Sequence, residues 1–329
     1  MRARILLALL ALPSCYLGSL TYPSLPSGDA AHVAVQGSVA YVTRGGLGVE
    51  VLDLETSRRL ALLPPPAGAR SSDHLDVDGG NLFVLDARRG RLSVYSLELP
   101  RHPVLATLPV EVPVGPFSGV SARRGRVIVS GGTSELTVFS YDAAGHLGRE
   151  RATADLGRGQ PEVRLADDGE RAVVSTHFSR PEFGITTLAV HAPPRSPEAQ
   201  GTLHLGAAGF SRGGFKPASF PLVAVVVGDM VFAAHGGGLA VIDASDFRAP
   251  RLLKVLELPV EPVSVSTDGT TLAVVGSWPS PRVVLVDART LAVSRTIDLP
   301  PKAKALDVAL TPSRIVVAAG PEGALVFSR

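Results

Sequence analysis

The chain has 329 residues, with 34 glycines, 27 prolines and one cysteine, and 45% of it is apolar. Glycine and proline at about one residue in five exclude a coiled coil or a long helical bundle, and so large an apolar fraction excludes wholesale disorder. A formal net charge of +2, with no basic stripe or acidic tail, leaves no field to steer nucleic acid, so no nucleic-acid partner is expected.

The chain opens MRARILLALLALPSC: Arg2 and Arg4, then an apolar run from Ile5 to Leu12. That run is too short to span a bilayer and suits the core of a signal peptide. It ends in Leu12-Pro13-Ser14-Cys15, which resembles the lipobox of bacterial lipoproteins: Leu three before the Cys and a small residue just before it. The resemblance implies that residues 1–15 are a signal peptide with a lipobox-like end and that Cys15 is lipidated. The protein would then lie in the bacterial envelope, periplasm or outer membrane, touching the membrane through the lipid alone. Ordinary secretion, with cleavage a few residues later, is the alternative. Cys15 is the only cysteine, so a disulfide within the chain is impossible.

Residues 16–329 read as one repetitive domain. An apolar run recurs that ends at Asp53, Ser96, Ser140, His191, Asp243, Asp287 and Ser328, about 41 to 52 residues apart. Seven units of that length match the four-stranded blade of a β-propeller. Each unit carries a first strand (His32–Val35, His74–Val77, Val163–Ala166, Val263–Ser266, Leu306–Ala309), a tight turn such as DGG or TDGT, and a β-branched second strand such as VAYVT or LFVLD. A loop, a third strand ending at the recurring position and a fourth strand closing on Leu-Pro complete it. Ala143–Leu156 is the one stretch with any helical character, and Gly145 and Gly148 argue against a helix there. The last unit stops after its third strand, so residues Leu17–Leu25 are expected to supply the fourth strand of the seventh blade.

The segments GGGLAVIDASDFRAPRLL (236–253) and VSVSTDGTTLAVVG (263–276) resemble the LVIVD and YVTN repeats of bacterial seven-bladed propellers. The likeness spans roughly 30–327 and is strongest in units one, five and six. It implies a binding or scaffolding protein on the cell envelope and assigns no catalytic residues.

In such a fold the fourth-to-first and second-to-third connections share one face, around the mouth of the central channel. Two longer insertions, 177–184 and 205–221, are expected there, and long loops on rigid scaffolds often carry binding. The candidate binding residues on this face are His177, Phe178, Arg180, Phe210, Arg212, Phe215, Lys216, His235 and Trp278. At the channel mouth the candidates are His32, Asp73, His74, Glu162, Glu261 and Lys304, able in principle to serve as acid and base. The GxSxG match at Gly209–Gly213 has no strand-to-helix turn around it and is read as chance. No cofactor or metal motif occurs.

These features predict a non-enzymatic envelope binding or scaffold protein that presents its loop-rich face to a protein, peptide or glycan. The alternative is a propeller enzyme, a lactonase-like hydrolase or quinoprotein-type oxidoreductase, working at the channel mouth.

Overall fold

The computed structural model describes residues 28–113, 118–131, 135–156, 162–179, 182–205, 223–235, 237–277 and 279–329. Among these, every regular element is a β-strand, and the strands form seven antiparallel sheets in chain order, six of four strands and one of three. The fold is a seven-bladed β-propeller.

The innermost strand of each blade, from one to seven, is Val33–Gln36, His74–Asp78, Gly119–Arg123, Glu162–Leu165, Ala224–Val227, Ser264–Thr267 and Asp307–Leu310. The five of these that the sequence placed lie within a residue or so of their expected bounds, because turn chemistry sets the register. In blade two the turn after Asp78 uses Gly79 and Gly80, both at positive φ, which matches the right-handed twist of a hairpin.

Second strands such as Val39–Thr43 and Asn81–Asp86 are buried at every position. Both faces of each sheet are covered by neighbouring blades, so these strands read as continuous apolar runs rather than alternating ones. The protein accordingly has seven hydrophobic cores, each between successive blades. The last joins Val33, Val42 and Leu52 of blade one to Ala309, Val316 and Ala318 of blade seven and closes the ring.

The recurring aspartates have a mechanical role. Asp53 Oδ1 accepts the N–H groups of Glu55 and Thr56, and Asp287 Oδ1 accepts those of Arg289 and Thr290. Each caps the turn between third and fourth strands, as a short acceptor side chain does in an Asx turn.

A close approach within blade one explains one glycine. Gly48, at φ 103°, packs so closely on the fourth strand of blade one that an added Cβ would lie 1.9 Å from the Leu63 carbonyl oxygen. Gly48→Ala is expected to cost about 2 kcal/mol or more, from left-handed strain plus displaced backbone, read as a lower urea midpoint with unchanged slope.

Three expectations are adjusted. Residues 177–179 and 182–184 belong to strands, not to a loop, because the second and third strands of blade four run on as Arg171–Ser179 and Glu182–Ala189. The third strand of blade four ends at Ala189, two residues before His191, and that of blade three runs one residue past Ser140 to Tyr141. The expected seventh-blade strand at Leu17–Leu25 lies outside the described residues. In blade seven, Ala30 exchanges backbone hydrogen bonds with Gly320, so the chain enters blade one directly beside blade seven.

Candidate functional site at the channel mouth

Superposing the register of the innermost strands gives one equivalent position per blade at the mouth: His32, His74, Gly119, Glu162, Val223, Ser264 and Asp307. Around a closed ring these seven positions face a common axis. His32 and His74, expected at this mouth, are in contact, with ring centroids 4.2 Å apart and planes at 38°.

An innermost strand has no strand beyond it, so its channel-side N–H groups need other acceptors. Neighbouring blades supply them. Asp307 of blade seven accepts Val33 N–H of blade one at 3.0 Å and the Ser264 hydroxyl of blade six at 2.6 Å. Its own Val308 N–H adds a contact at 2.9 Å, and His32 Nδ1 lies 3.6 Å away. Two residues further in, Asp76 accepts Ala122 N–H and Arg123 Nη1, and the Ser121 hydroxyl oxygen accepts Leu165 N–H. Blades two, three and four are stitched in this way.

Glu162 is different. It is buried at 7% exposure, and its Oε2 has no hydrogen-bond partner. Burial pushes its pKa up; Arg164 and His32 oppose that shift, and the Asp307 charge adds to it. For Asp307, burial also pushes upward, but contact with His32, the Arg164 charge and the Ser264 hydroxyl outweigh it and hold the carboxyl below its ordinary value. Burial, followed by the charges of His32 and Arg164, holds His74 well below the usual imidazole value. The cluster is therefore one electrostatic unit.

Other predicted residues sit elsewhere. Asp73 is engaged within blade two, accepting the Ser71 hydroxyl at 2.7 Å and Ala87 N–H at 3.0 Å, and so braces the rim instead of facing the channel. Glu261, its pKa raised by burial, lies in the connection from blade five to blade six, and Lys304 is exposed at the entry to blade seven. His177, Phe178 and His235 fall on strand ends at the mouth face. Arg180, Phe210, Arg212, Phe215, Lys216, Trp278, Cys15 and the GxSxG match lie outside the described residues. Asp307, Ser264 and Arg164 were missed as site residues. The available signal was their position: Asp307 and Ser264 occupy the His32 register in their own units, and Arg164 stands two residues after Glu162.

Among the described residues, no group of three His, Cys, Asp or Glu side chains is arranged to hold a metal ion, and no helix is long and apolar enough to cross a membrane. On the opposite face, a groove of about 430 Å³ lies between the first turn of blade one, Gln36–Val39, and residues 99–102 of blade two. Its wall is tied down by the Tyr41 hydroxyl on the Pro100 carbonyl and by Arg101 on Asp53.

No family model and no curated protein sequence matches the chain. Solved structures do. A protein from Lactobacillus plantarum aligns at TM-score 0.63 and 15% identity, over 83% of this chain and 86% of that one. A candidate 6-phosphogluconolactonase from Bacteroides fragilis aligns at TM-score 0.61 and 11% identity, over 82% and 85%. A chain of the mitotic checkpoint complex aligns at TM-score 0.66 and 12% identity, over 100% and 99%. What they share with this chain is the fold. At such identities the resemblance stops at the ring of blades and does not reach chemistry.

Proposed function

We propose that this chain is a non-enzymatic binding and scaffold protein of the bacterial cell envelope, akin to the YVTN and LVIVD-repeat propellers, exported by its N-terminal signal and held by a lipid on Cys15. It presents the channel-mouth face to a protein, peptide or glycan. One observation carries the reading. In blade four the innermost pairing starts at Glu162 and Ser175, yet the second strand continues four residues further, to Ser179. In the other blades the second strand ends within about two residues of that point. At about 3.3 Å per residue the hairpin stands roughly 13 Å above the mouth. The sequence between the strands Glu198–His204 and Ala224–Val227, which carries the long 205–221 insertion, follows blade four. A closed ring fixes the base of such a projection, which limits the entropy lost when a partner docks.

The test is mild crosslinking in the native host, comparing the intact protein with variants lacking 207–218 or the hairpin tip 178–183. A partner recovered with the intact protein and lost with both deletions is the expected result. Recovery unchanged by either deletion would remove the mouth face from the proposal. Labelled palmitate incorporated into the protein, and abolished in Cys15→Ser, checks the anchor.

A second reading, an enzyme at the channel mouth, draws support from Glu162, whose raised pKa beside the paired histidines suits a general acid or base. Lactone hydrolysis by the purified protein, lost in Glu162→Gln, would replace the first reading with this one.

A further inference from the structure

We propose that the channel mouth binds a small zwitterion of the α-amino-acid type, its ammonium group on Glu162 and its carboxylate on Arg164. The site is independent of the partner-docking reading above. Its starting point is an acceptor and a donor, adjacent and both without a side-chain partner among the described residues. Glu162 Oε2 is buried without a partner. Arg164 stands two residues along the same strand, so both side chains leave the same side of it, with Cα atoms about 7 Å apart. Among the described residues, no hydrogen bond or ion pair engages the Arg164 guanidinium, and it is not closed on Glu162 although the two are near enough to influence each other electrically. Asp307, the other carboxylate at the mouth, has its hydrogen bonds made: it is held by Val33 N–H, Val308 N–H and the Ser264 hydroxyl.

The charges select the ligand. The groups facing this space are Glu162, Arg164, Asp307, His32 and His74. Two carboxylates, Glu162 and Asp307, stand against the Arg164 guanidinium and the His32 imidazole in a partly desolvated space. A simple anion would face the two carboxylates and a simple cation would face Arg164, each without using the opposite charge. A molecule carrying both groups a few ångströms apart meets both demands and leaves the balance unchanged. Glu162 packs directly against the equivalent position of blade three, Gly119. A Cβ added there would lie 3.5 Å from Glu162 Cγ and 3.3 Å from Ser130 Oγ. His74, held neutral by burial, adds no competing positive charge.

Isothermal titration calorimetry of the purified protein tests this with the common α-amino acids as probes. Methylamine and acetate serve as the separate halves, and lactate as the analogue lacking the ammonium group. The expected result is that at least one amino acid binds, with methylamine, acetate and lactate each weaker by roughly tenfold or more, as the loss of a charge-assisted contact implies. Glu162→Gln and Arg164→Met should each weaken the amino acid by a similar factor, and residual lactate binding should respond to Arg164→Met far more than to Glu162→Gln. Glu162→Gln is isosteric and removes a buried charge, so it should unfold at no lower temperature than the parent at neutral pH. Arg164→Lys, which keeps the charge but loses the fork, is the second check and should fall between parent and Arg164→Met. No heat with any amino acid would overturn the proposal and leave a water-filled channel. Half-probes as tight as the amino acid, or folded variants that bind like the parent, would overturn it as well.

Discussion

Asp307→Ala should destabilise the protein by about 3–5 kcal/mol, the cost of removing a buried carboxylate on which several donors converge. The carboxylate ties blade six, through Ser264, and blade one, through Val33, to its own blade, and it is 6% exposed. Its loss leaves an N–H and a hydroxyl buried without acceptors at the seam where the ring closes. Urea unfolding at pH 7 measures the difference. The pH dependence follows from the sign of the shift. The carboxyl's folded-state pKa lies below its unfolded value of about 3.9, so its stabilisation is fully present above that value and is lost as pH falls through the folded pKa. The gap between parent and variant should therefore be widest at neutral pH and narrow below about pH 4. A gap that stayed constant down to pH 2 would mean that Asp307 acts through shape alone.

Phe83→Ala should cost a similar amount, about 3–5 kcal/mol, by a different route. Phe83 is fully buried between blades two and three, packed with Leu85 and Val94 on its own side and Val120, Val127 and Phe139 on the other. Its ring meets Tyr141 edge-on, with centroids 4.7 Å apart. Tyr141 is fixed from behind by its hydroxyl on Asp78, so the cavity has little freedom to collapse. Phe83→Leu should recover most of the loss by refilling the volume. Leu99→Ala, at a side chain 65% exposed, should stay within about 0.5 kcal/mol and serves as the control. Equal losses at Phe83 and Leu99 would contradict the view that stability resides between the blades.

Much of the architecture was legible because it is local. Asp78-Gly79-Gly80-Asn81 names a hairpin by its backbone needs, VAYVT and NLFVLD read as strands covered on both faces, and Asp53 and Asp287 recur because each caps the turn that follows it. Ala143–Leu156, the one ambiguous stretch, becomes a turn at Gly145 and a strand from Leu147 to Asp155. Sequence misjudged residues 177–184, where a long second-to-third connection and a prolonged hairpin have the same length and composition. Only backbone pairing, as between His177 and Phe183, distinguishes them.

The site was legible in part, and for a definite reason. By itself the sequence determined the seven units, most of their strands and turns, and which strand ends share a face, since each depends on neighbours a few residues away. His32, His74 and Glu162 stood out as polar residues at the start of apolar strands. The tertiary structure decided that Asp73 belongs to the rim, that Asp307 and Arg164 belong to the cluster, and that Glu162 keeps a buried oxygen without a partner. Asp307 and Val33 are 274 residues apart in the chain yet hydrogen-bonded, because seven radial sheets bring their first strands to one axis only when the ring is closed.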